Sequence, residues 1–247
     1  MHVLSPKQNL LLDTVSKFGI ISGKQILKYL KGELIKPTLY KVKNQLMAMG
    51  LIGTEKIGLD TVFYITEKGA SYTGDYTIGY TSFPVTTLKH DLLVNECILT
   101  YLEVGERNPH ITNIEFVSDK TLLKQELEEA IFLSKQDEDK MMKKNSVRLR
   151  NRIPDFVLIT TLNANGQEIR RNNAFEVELH AKSKNRYKDK FLHYKQLIKQ
   201  EKRYHNVTYI VPDKIVYNAI ARASTDTLTM NEDITLKMLQ EVIKIEQ

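Results

Sequence analysis

The stretch Leu51-Ile52-Gly53-Thr54-Glu55-Lys56-Ile57-Gly58-Leu59-Asp60-Thr61-Val62-Phe63-Tyr64-Ile65 decides how the first part of the chain is read. Its two halves, 51–56 and 61–65, are β-prone, and Gly58-Leu59-Asp60 between them has turn chemistry, so the pattern predicts a β-hairpin. Three helical patterns precede it. Ser5-Pro6 suits a helix start, and Leu10, Leu11, Val15 and Phe18 follow at near-helical spacing until Gly19 stops the run. Ser22 opens a second helix over 23–30, with Ile26, Leu27 and Leu30 on one face and Gly32 at its end. A third is expected from Pro37 to Met49, where Leu39, Val42, Leu46 and Met49 make the apolar side and Gly50 follows. Three helices and then a hairpin is the order of a winged helix. Its third helix would be the recognition element, and the outer face here carries Lys36, Thr38, Tyr40, Lys41, Lys43, Asn44 and Gln45, residue types that bond phosphates and base edges. A solvated lysine face, or a winged helix used for protein contact, are the competing readings.

The whole chain has 247 residues and a net charge of +6, from 36 Lys and Arg against 30 Asp and Glu. That length fits one large domain or two modest ones, and 42% apolar with 27% charged residues predicts a packed core rather than a disordered or fibrous chain. No window approaches the roughly 18 apolar residues of a membrane span, and the N-terminus lacks a signal-peptide core, so the expectation is a cytoplasmic protein with no membrane partner. A single cysteine, Cys97, excludes an internal disulfide and a thiolate zinc cluster. The mild positive surplus favours a polyanionic partner only weakly, so its distribution matters more than its size.

Beyond the hairpin, residues 73–86 read as a linker between a first domain at 1–72 and a second at 87–247. Thr86 or Thr87 can cap a helix from Leu88 to about Val104, and Ile114–Val117 reads as a short strand. The polar, helical run from Lys120 to Lys144 reads as a solvated excursion without chemistry. Strands are expected over 153–162 and 174–179, a helix over 183–200, a strand over 207–211 and helices over 213–223 and 231–245. Such an alternation implies a mixed α/β domain with a central sheet.

Asp155 sits in Pro154-Asp155-Phe156-Val157-Leu158-Ile159, and Glu176 and Glu178 follow in Phe175-Glu176-Val177-Glu178-Leu179-His180. Alternation along a strand points Glu176 and Glu178 to one side, and a hairpin can bring Asp155 beside them. Carboxylates that converge repel unless a cation sits among them, and a hard divalent ion such as Mg²⁺ or Mn²⁺ takes oxygen ligands of this kind. It can activate a nucleophile at a phosphate, with a nearby lysine stabilising the developing charge. His180 and His193 lack the spacing of a zinc site and read as surface or packing residues.

Pro-Asp, a hairpin, Glu-x-Glu and nearby lysines resemble the core of the PD-(D/E)xK nuclease superfamily. Tyr64-Ile65-Thr66-Glu67-Lys68-Gly69 resembles the end of the wing in bacterial winged-helix regulators. The longer pattern, a winged-helix start, Leu88-Lys89-His90-Asp91-Leu92-Leu93-Val94-Asn95-Glu96, then 153–158, 175–178 and an Arg/Lys/Tyr-rich helix, resembles the plasmid replication-relaxation family, which includes MobC-type relaxases. The resemblance implies an α+β protein, a winged helix followed by a restriction-endonuclease-like mixed sheet. It implies Asp155 and Glu176 as metal ligands with Glu96 completing the set. Glu178 stands where the superfamily usually has lysine, a departure that weighs against plain hydrolytic activity; Lys182 or Lys184 can supply the ammonium from a shifted position. Relaxases often use a tyrosine hydroxyl as nucleophile, and the resemblance points to Tyr187 for that part.

From Lys182 to Arg203 nine basic residues, Lys184, Arg186 and Lys190 among them, stand against two acids. Tyr187, Phe191 and Tyr194 recur through this helix at core-facing spacing. Cations beside a metal site suit a phosphate backbone. The leading expectation is therefore a DNA-binding protein of a plasmid or mobile element that nicks one strand at an origin of transfer or replication. Its partners would be that DNA, a second copy of the chain, or other mobilisation or replication proteins. The alternative is a non-catalytic replication or transcription regulator with a degenerate nuclease-like domain; a plain restriction or repair nuclease and a protein-binding adaptor stand further off.

Overall fold

A computed structural model describes residues 3–74, 78–134, 152–164 and 166–243. The chain is a mixed α/β protein with two sheets, a three-stranded antiparallel one and a five-stranded mixed one. It divides into two compact units, Met1–Leu99 with Lys120–Lys135, and Thr100–Asp119 with Gln136–Gln247. The charged run at 135–144 and the basic stretch at 147–151 fall outside the described residues.

In the first unit α1 (Pro6–Phe18) begins with a capping box: Ser5 Oγ accepts from Gln8 N, and Gln8 Oε1 accepts from Ser5 N at 2.7 Å. Gly19, at φ 75°, ends it and turns the chain into β1 (Ile20–Ser22). This strand is a fully buried three-residue segment, too short for periodicity to reveal. Ser22 then caps α2 (Gly23–Leu30) through a second capping box with Gln25. The third helix, α3 (Lys36–Ala48), buries Leu39, Val42 and Leu46. β2 (Ile52–Ile57) and β3 (Asp60–Ile65) form the hairpin, and the pairing Ile57↔Asp60 makes its turn the two residues Gly58-Leu59, one shorter than the sequence suggests. β1 pairs with the other edge of β3, Ile21 opposite Phe63, giving the order β1-β3-β2.

Thr73, the first residue of the expected linker, is instead the end of a helix. α4 (Glu67–Thr73) is capped by Thr66, whose Oγ1 accepts from Gly69 N at 2.9 Å. Small residues in this helix serve close packing: a Cβ on Gly69 would lie 1.9 Å from the Leu51 carbonyl oxygen. The first half of α5 (Leu88–Glu106) and α6 (Asp119–Ser134) from Lys120 onward belong to this unit. There Asn95 Nδ2 donates to Ile20 O at 2.6 Å and Gln25 Nε2 to Leu92 O at 2.8 Å.

The second unit is built on β4 (Ile111–Ser118), β5 (Phe156–Ala164), β6 (Gln167–Val177), β7 (Asn206–Val211) and β8 (Ile234–Met238), in that spatial order. The β4-β5-β6 ladder is antiparallel, and β6-β7-β8 is parallel. Parallel neighbours need crossovers. These are α7 (Lys184–Lys195), which runs on into a π-helical turn at Gln196–Gln200, and α8 (Lys214–Ser224), whose N-cap Asp213 accepts from Ile215 N and Val216 N.

The helix expected over 231–245 is absent. β8 takes the middle of that stretch, 234–238, and among its described residues only α9 (Leu239–Val242) is helical. Asn231, at φ 63°, and a turn in which Thr229 N donates to Asp233 Oδ2 at 3.0 Å reverse the chain. Ile234, Leu236 and Met238 then alternate with Thr235 and Lys237, and the open side of β7 supplies a parallel partner that outweighs helical propensity.

β6 also starts earlier than hydrophobicity indicates. Gln167–Arg171 is exposed and, apart from Ile169, polar, with β5 the one described strand beside it, because β7 joins only at Asn173.

Candidate nucleic-acid interface and carboxylate site

Burial of Leu39, Val42 and Leu46 fixes which face of α3 turns outward. On that face Lys36, Lys41 and Asn44 are exposed, while Thr38, Tyr40 and Lys43 are half-buried. Lys43 Nζ stands 5.3 Å over the Tyr40 ring, which orders its ammonium without neutralising it. The helix contains no acidic residue. Gln45 is tied back to α1, accepting from Gln8 Nε2 at 3.1 Å. At the hairpin tip Leu59 is fully exposed and Ile57 largely so, beside Lys56.

The carboxylates of the second unit lie on one face of β5 and β6. Phe156 and Phe175 are paired and their rings stack at 4.6 Å, with Tyr101 of α5 against Phe175. The residues one position away, Asp155 and Glu176, therefore face the other side, towards α7. Asp155 N donates to Phe175 O at 3.0 Å, and Asp155 Oδ2 accepts from Val177 N at 2.7 Å, which clamps the start of β5 onto β6. Glu176 is buried and lies opposite Tyr209 of β7. Its Oε1 receives Lys190 Nζ at 2.6 Å and the phenol of Tyr194. Glu178, also buried, is paired with Lys182 Nζ at 2.5 Å, and its N–H donates to Ile210 O.

Over these groups lies an aromatic layer. Tyr187 stacks on Phe191 at 5.8 Å, and Phe191 meets Tyr209 edge-on at 5.8 Å. Burial pushes the Glu176 carboxyl above its ordinary range; the Lys190 ammonium pulls it back, and the charge of Asp155 pushes it up again. Burial, and next the Glu176 charge, holds the phenols of Tyr194 and Tyr209 well above their ordinary value. Both stay protonated as donors, yet the Tyr209 hydroxyl has no hydrogen-bond partner among the described residues.

Several sequence candidates are placed differently from their expected use. Tyr187 is buried, its hydroxyl accepts from Lys182 N at 3.1 Å, and burial raises its pKa, the direction opposite to that of an activated nucleophile. Lys190 turns into the site as the partner of Glu176, whereas Lys184 and Arg186 are exposed. Glu96 belongs to the first unit, where Lys28 Nζ and Gln25 Nε2 hold its carboxylate. His180 is exposed, and the His193 ring lies 6.3 Å from that of Tyr194.

His90-Asp91 is part of the start of α5. Thr87 Oγ1 donates to Asp91 Oδ2 at 2.7 Å, and Lys120 Nζ stands 3.4 Å from the other oxygen. Burial alone would raise the Asp91 pKa, but the hydrogen bond from His90, the Lys120 charge and Thr87 together hold it below the ordinary value.

Tyr194 and Tyr209 are site residues that sequence reasoning did not find. Tyr194 stood open in the sequence only as a second candidate tyrosine behind Tyr187, Tyr209 was not singled out, and the one available signal was that Lys190 and Tyr194 stand four apart on the same helical face.

Asp155, Glu176 and Glu178 are oxygen donors of the right chemistry for Mg²⁺ or Mn²⁺, but Glu176 and Glu178 are each neutralised by a lysine. Among the described residues no three His, Cys, Asp or Glu side chains converge as the ligands of one ion do. As arranged, the carboxylates do not fit a divalent cation.

Comparison of the chain with protein families, curated proteins and solved structures finds no match. No described helix is long and apolar enough to cross a membrane.

Proposed function

We propose that the protein is a DNA-binding protein in which the first unit acts as a winged helix, with α3 as its reading element. The observation that carries this reading is the α3 face, where Lys36, Lys41, Asn44 and the ring-ordered Lys43 stand together with no acid on the helix. Lysines hold phosphates and set register, while Thr38 and Asn44 are of the type that reads base edges. The exposed Lys184 and Arg186 of α7 add a second cationic stretch for the backbone. The resemblance to the replication-relaxation family suggests DNA of a plasmid or mobile element, at its origin of replication or transfer. The lysine-neutralised carboxylates favour a protein that holds DNA there without cutting it, as a replication or transcription regulator.

A second reading, metal-dependent strand nicking of the relaxase kind, is favoured by one arrangement: Asp155, Glu176 and Glu178 share a face with the Tyr209 hydroxyl, which has no partner among the described residues. Incubating supercoiled plasmid with wild type, Asp155→Ala and Glu176→Ala, in EDTA and in Mn²⁺, separates the two. Retarded but intact supercoils under both conditions are expected. Nicking that requires Mn²⁺ and disappears in both variants replaces the first reading with the second, and absence of any DNA binding overturns both.

A further inference from the structure

The β5-β6 hairpin runs past the start of β7, and the part of β6 it carries beyond is an unfinished sheet edge. Engagement on that side ends at Asn172: its O accepts from His205 N at 2.8 Å, and its N donates to His205 Nδ1 at 3.2 Å, a side chain serving where the neighbouring strand offers no carbonyl. Backbone groups alternate in direction along an antiparallel ladder, so the N–H and C=O of Arg170 and Glu168 point as those of Asn172 do, away from β5. No described strand lies beside them, and Gln167–Arg171 is exposed throughout. Pairing with β5 is unbroken from Gln167 to Phe175, so the edge is already ordered and needs no straightening to receive a ligand.

The edge presents donors and acceptors in turn. A polypeptide strand matches that pattern, whereas a phosphodiester backbone offers acceptors alone. The side chains add a preference of charge. Alternation puts Glu168 and Arg170 on the face of Glu176, and Ile169 and Arg171 on the opposite face, so each face of the edge carries an arginine. The segment leading into β7 brings Lys202 and Arg203 to the start of the row, where Arg203 O accepts from Asn172 Nδ2 at 3.3 Å. Glu201, the acid beside them, is held by Gln196 Nε2 at 2.8 Å.

We propose that this edge is a docking site for an extended acidic polypeptide segment of a partner protein, which adds as a short strand beside Glu168–Arg170 with its carboxylates towards Arg170 and Arg171. Main-chain bonds supply the affinity and the arginines select the sequence. A second copy of this chain would bring arginines of its own to the row and is the poorer occupant. The site lies within the second unit and uses none of the residues assigned to DNA, so it stands or falls apart from that reading.

The test is fluorescence anisotropy of the full chain with a labelled, end-blocked peptide of about eight residues composed of Val, Thr, Glu and Asp. Arg170→Glu/Arg171→Glu reverses two cross-strand charge pairs and is expected to weaken binding about 30-fold. Two changes at Glu168 separate backbone pairing from charge. Glu168→Gln removes an acid and keeps the outward N–H, and is expected to tighten binding about twofold. Glu168→Pro removes the same acid together with that N–H, which the β5 ladder does not use, and is expected to bind about fivefold more weakly than Glu168→Gln. The same peptide N-methylated at alternate amides is expected to bind wild type about tenfold more weakly, which keeps the test decisive if Glu168→Pro fails to fold. Absence of peptide binding by wild type overturns the proposal. So does equal binding of the parent and N-methylated peptides, because charge alone then holds them. Tighter binding of single-stranded oligothymidylate that is lost in Arg170→Glu/Arg171→Glu gives the edge to nucleic acid, and a dimer in sedimentation that Glu168→Pro dissociates gives it to a second copy; either result overturns the proposal.

Discussion

Removing the two central lysines of α3 tests whether this helix lies against DNA. Lys41 is exposed, and Lys43 is ordered over Tyr40 at 5.3 Å, so both charges are available to phosphates. Each neutralised phosphate adds about 0.9 to the slope of log affinity against log salt, so Lys41→Ala/Lys43→Ala should lower that slope by about 1.8. Raising KCl fourfold, from about 50 to about 200 mM, should then weaken the wild type about 12-fold more than the variant. Fluorescence anisotropy with a labelled duplex of about 20 bp reads this directly, with Lys24→Ala on α2 reporting a charge removed from another helix. Alanine is the best helix former, and neither lysine is part of the core, so circular dichroism and melting should be unchanged. Equal slopes for wild type and double variant, with DNA still bound, would refute α3 as the contact and leave the basic stretch of α7 as the binding element.

Two further outcomes follow from the packing and the charge. Gly69→Ala forces a methyl group to within 1.9 Å of the Leu51 carbonyl oxygen, a backbone atom that cannot swing aside, and should cost about 3 kcal/mol in urea denaturation; a loss under about 0.5 kcal/mol would mean that α4 is not seated on Leu51 as described. Because burial raises the Glu176 pKa above its ordinary 4.5, the folded state holds this proton at pH values where the unfolded state has lost it. Stability from this group therefore falls as pH rises from 4.5 through the folded-state pKa, by about 1.4 kcal/mol for each unit of displacement. Relative to Glu176→Gln, wild type should gain stability as pH is lowered from neutrality towards 4.5 and gain no more below it; parallel stability curves would sink the assignment.

The helices of the first unit were legible because each carries its own punctuation. Ser5 and Ser22 each form a capping box, and Gly19 and Gly50 close α1 and α3 at positive φ. β1 was not legible: three residues between a helix end and a cap show no period, and only the free edge of β3 makes them a strand. The helix at 67–73 was not legible, because small residues such as Gly69 and Ala70 suit both a loop and close contact, and the contact with Leu51 lies far off in sequence. At 231–245 the apolar spacing suited a helix, and a parallel partner strand overrode it. In the candidate site, alternation placed Asp155, Glu176 and Glu178 on one face. Sequence offered Lys182 or Lys184 as the nearby ammonium, and Lys182 does pair with Glu178; Lys190 could not be assigned to Glu176, since it is one of nine basic residues between 182 and 203, and only the depth of its helical position sets it apart.

The overhang of β6 bears on how copies of this chain behave towards one another. Asn172 N donates to His205 Nδ1 and Asn172 O accepts from His205 N, so the same-facing backbone groups of Arg170 and Glu168 point away from β5, with no described strand alongside them. An open row of this kind is a template for intermolecular strand addition, the first step towards fibrillar aggregates. Arg170 and Arg171 stand on it, and their guanidinium groups would be brought against those of a second copy in any edge-to-edge pairing. Two residues that add nothing to the core thereby place like charges where strand addition would have to occur.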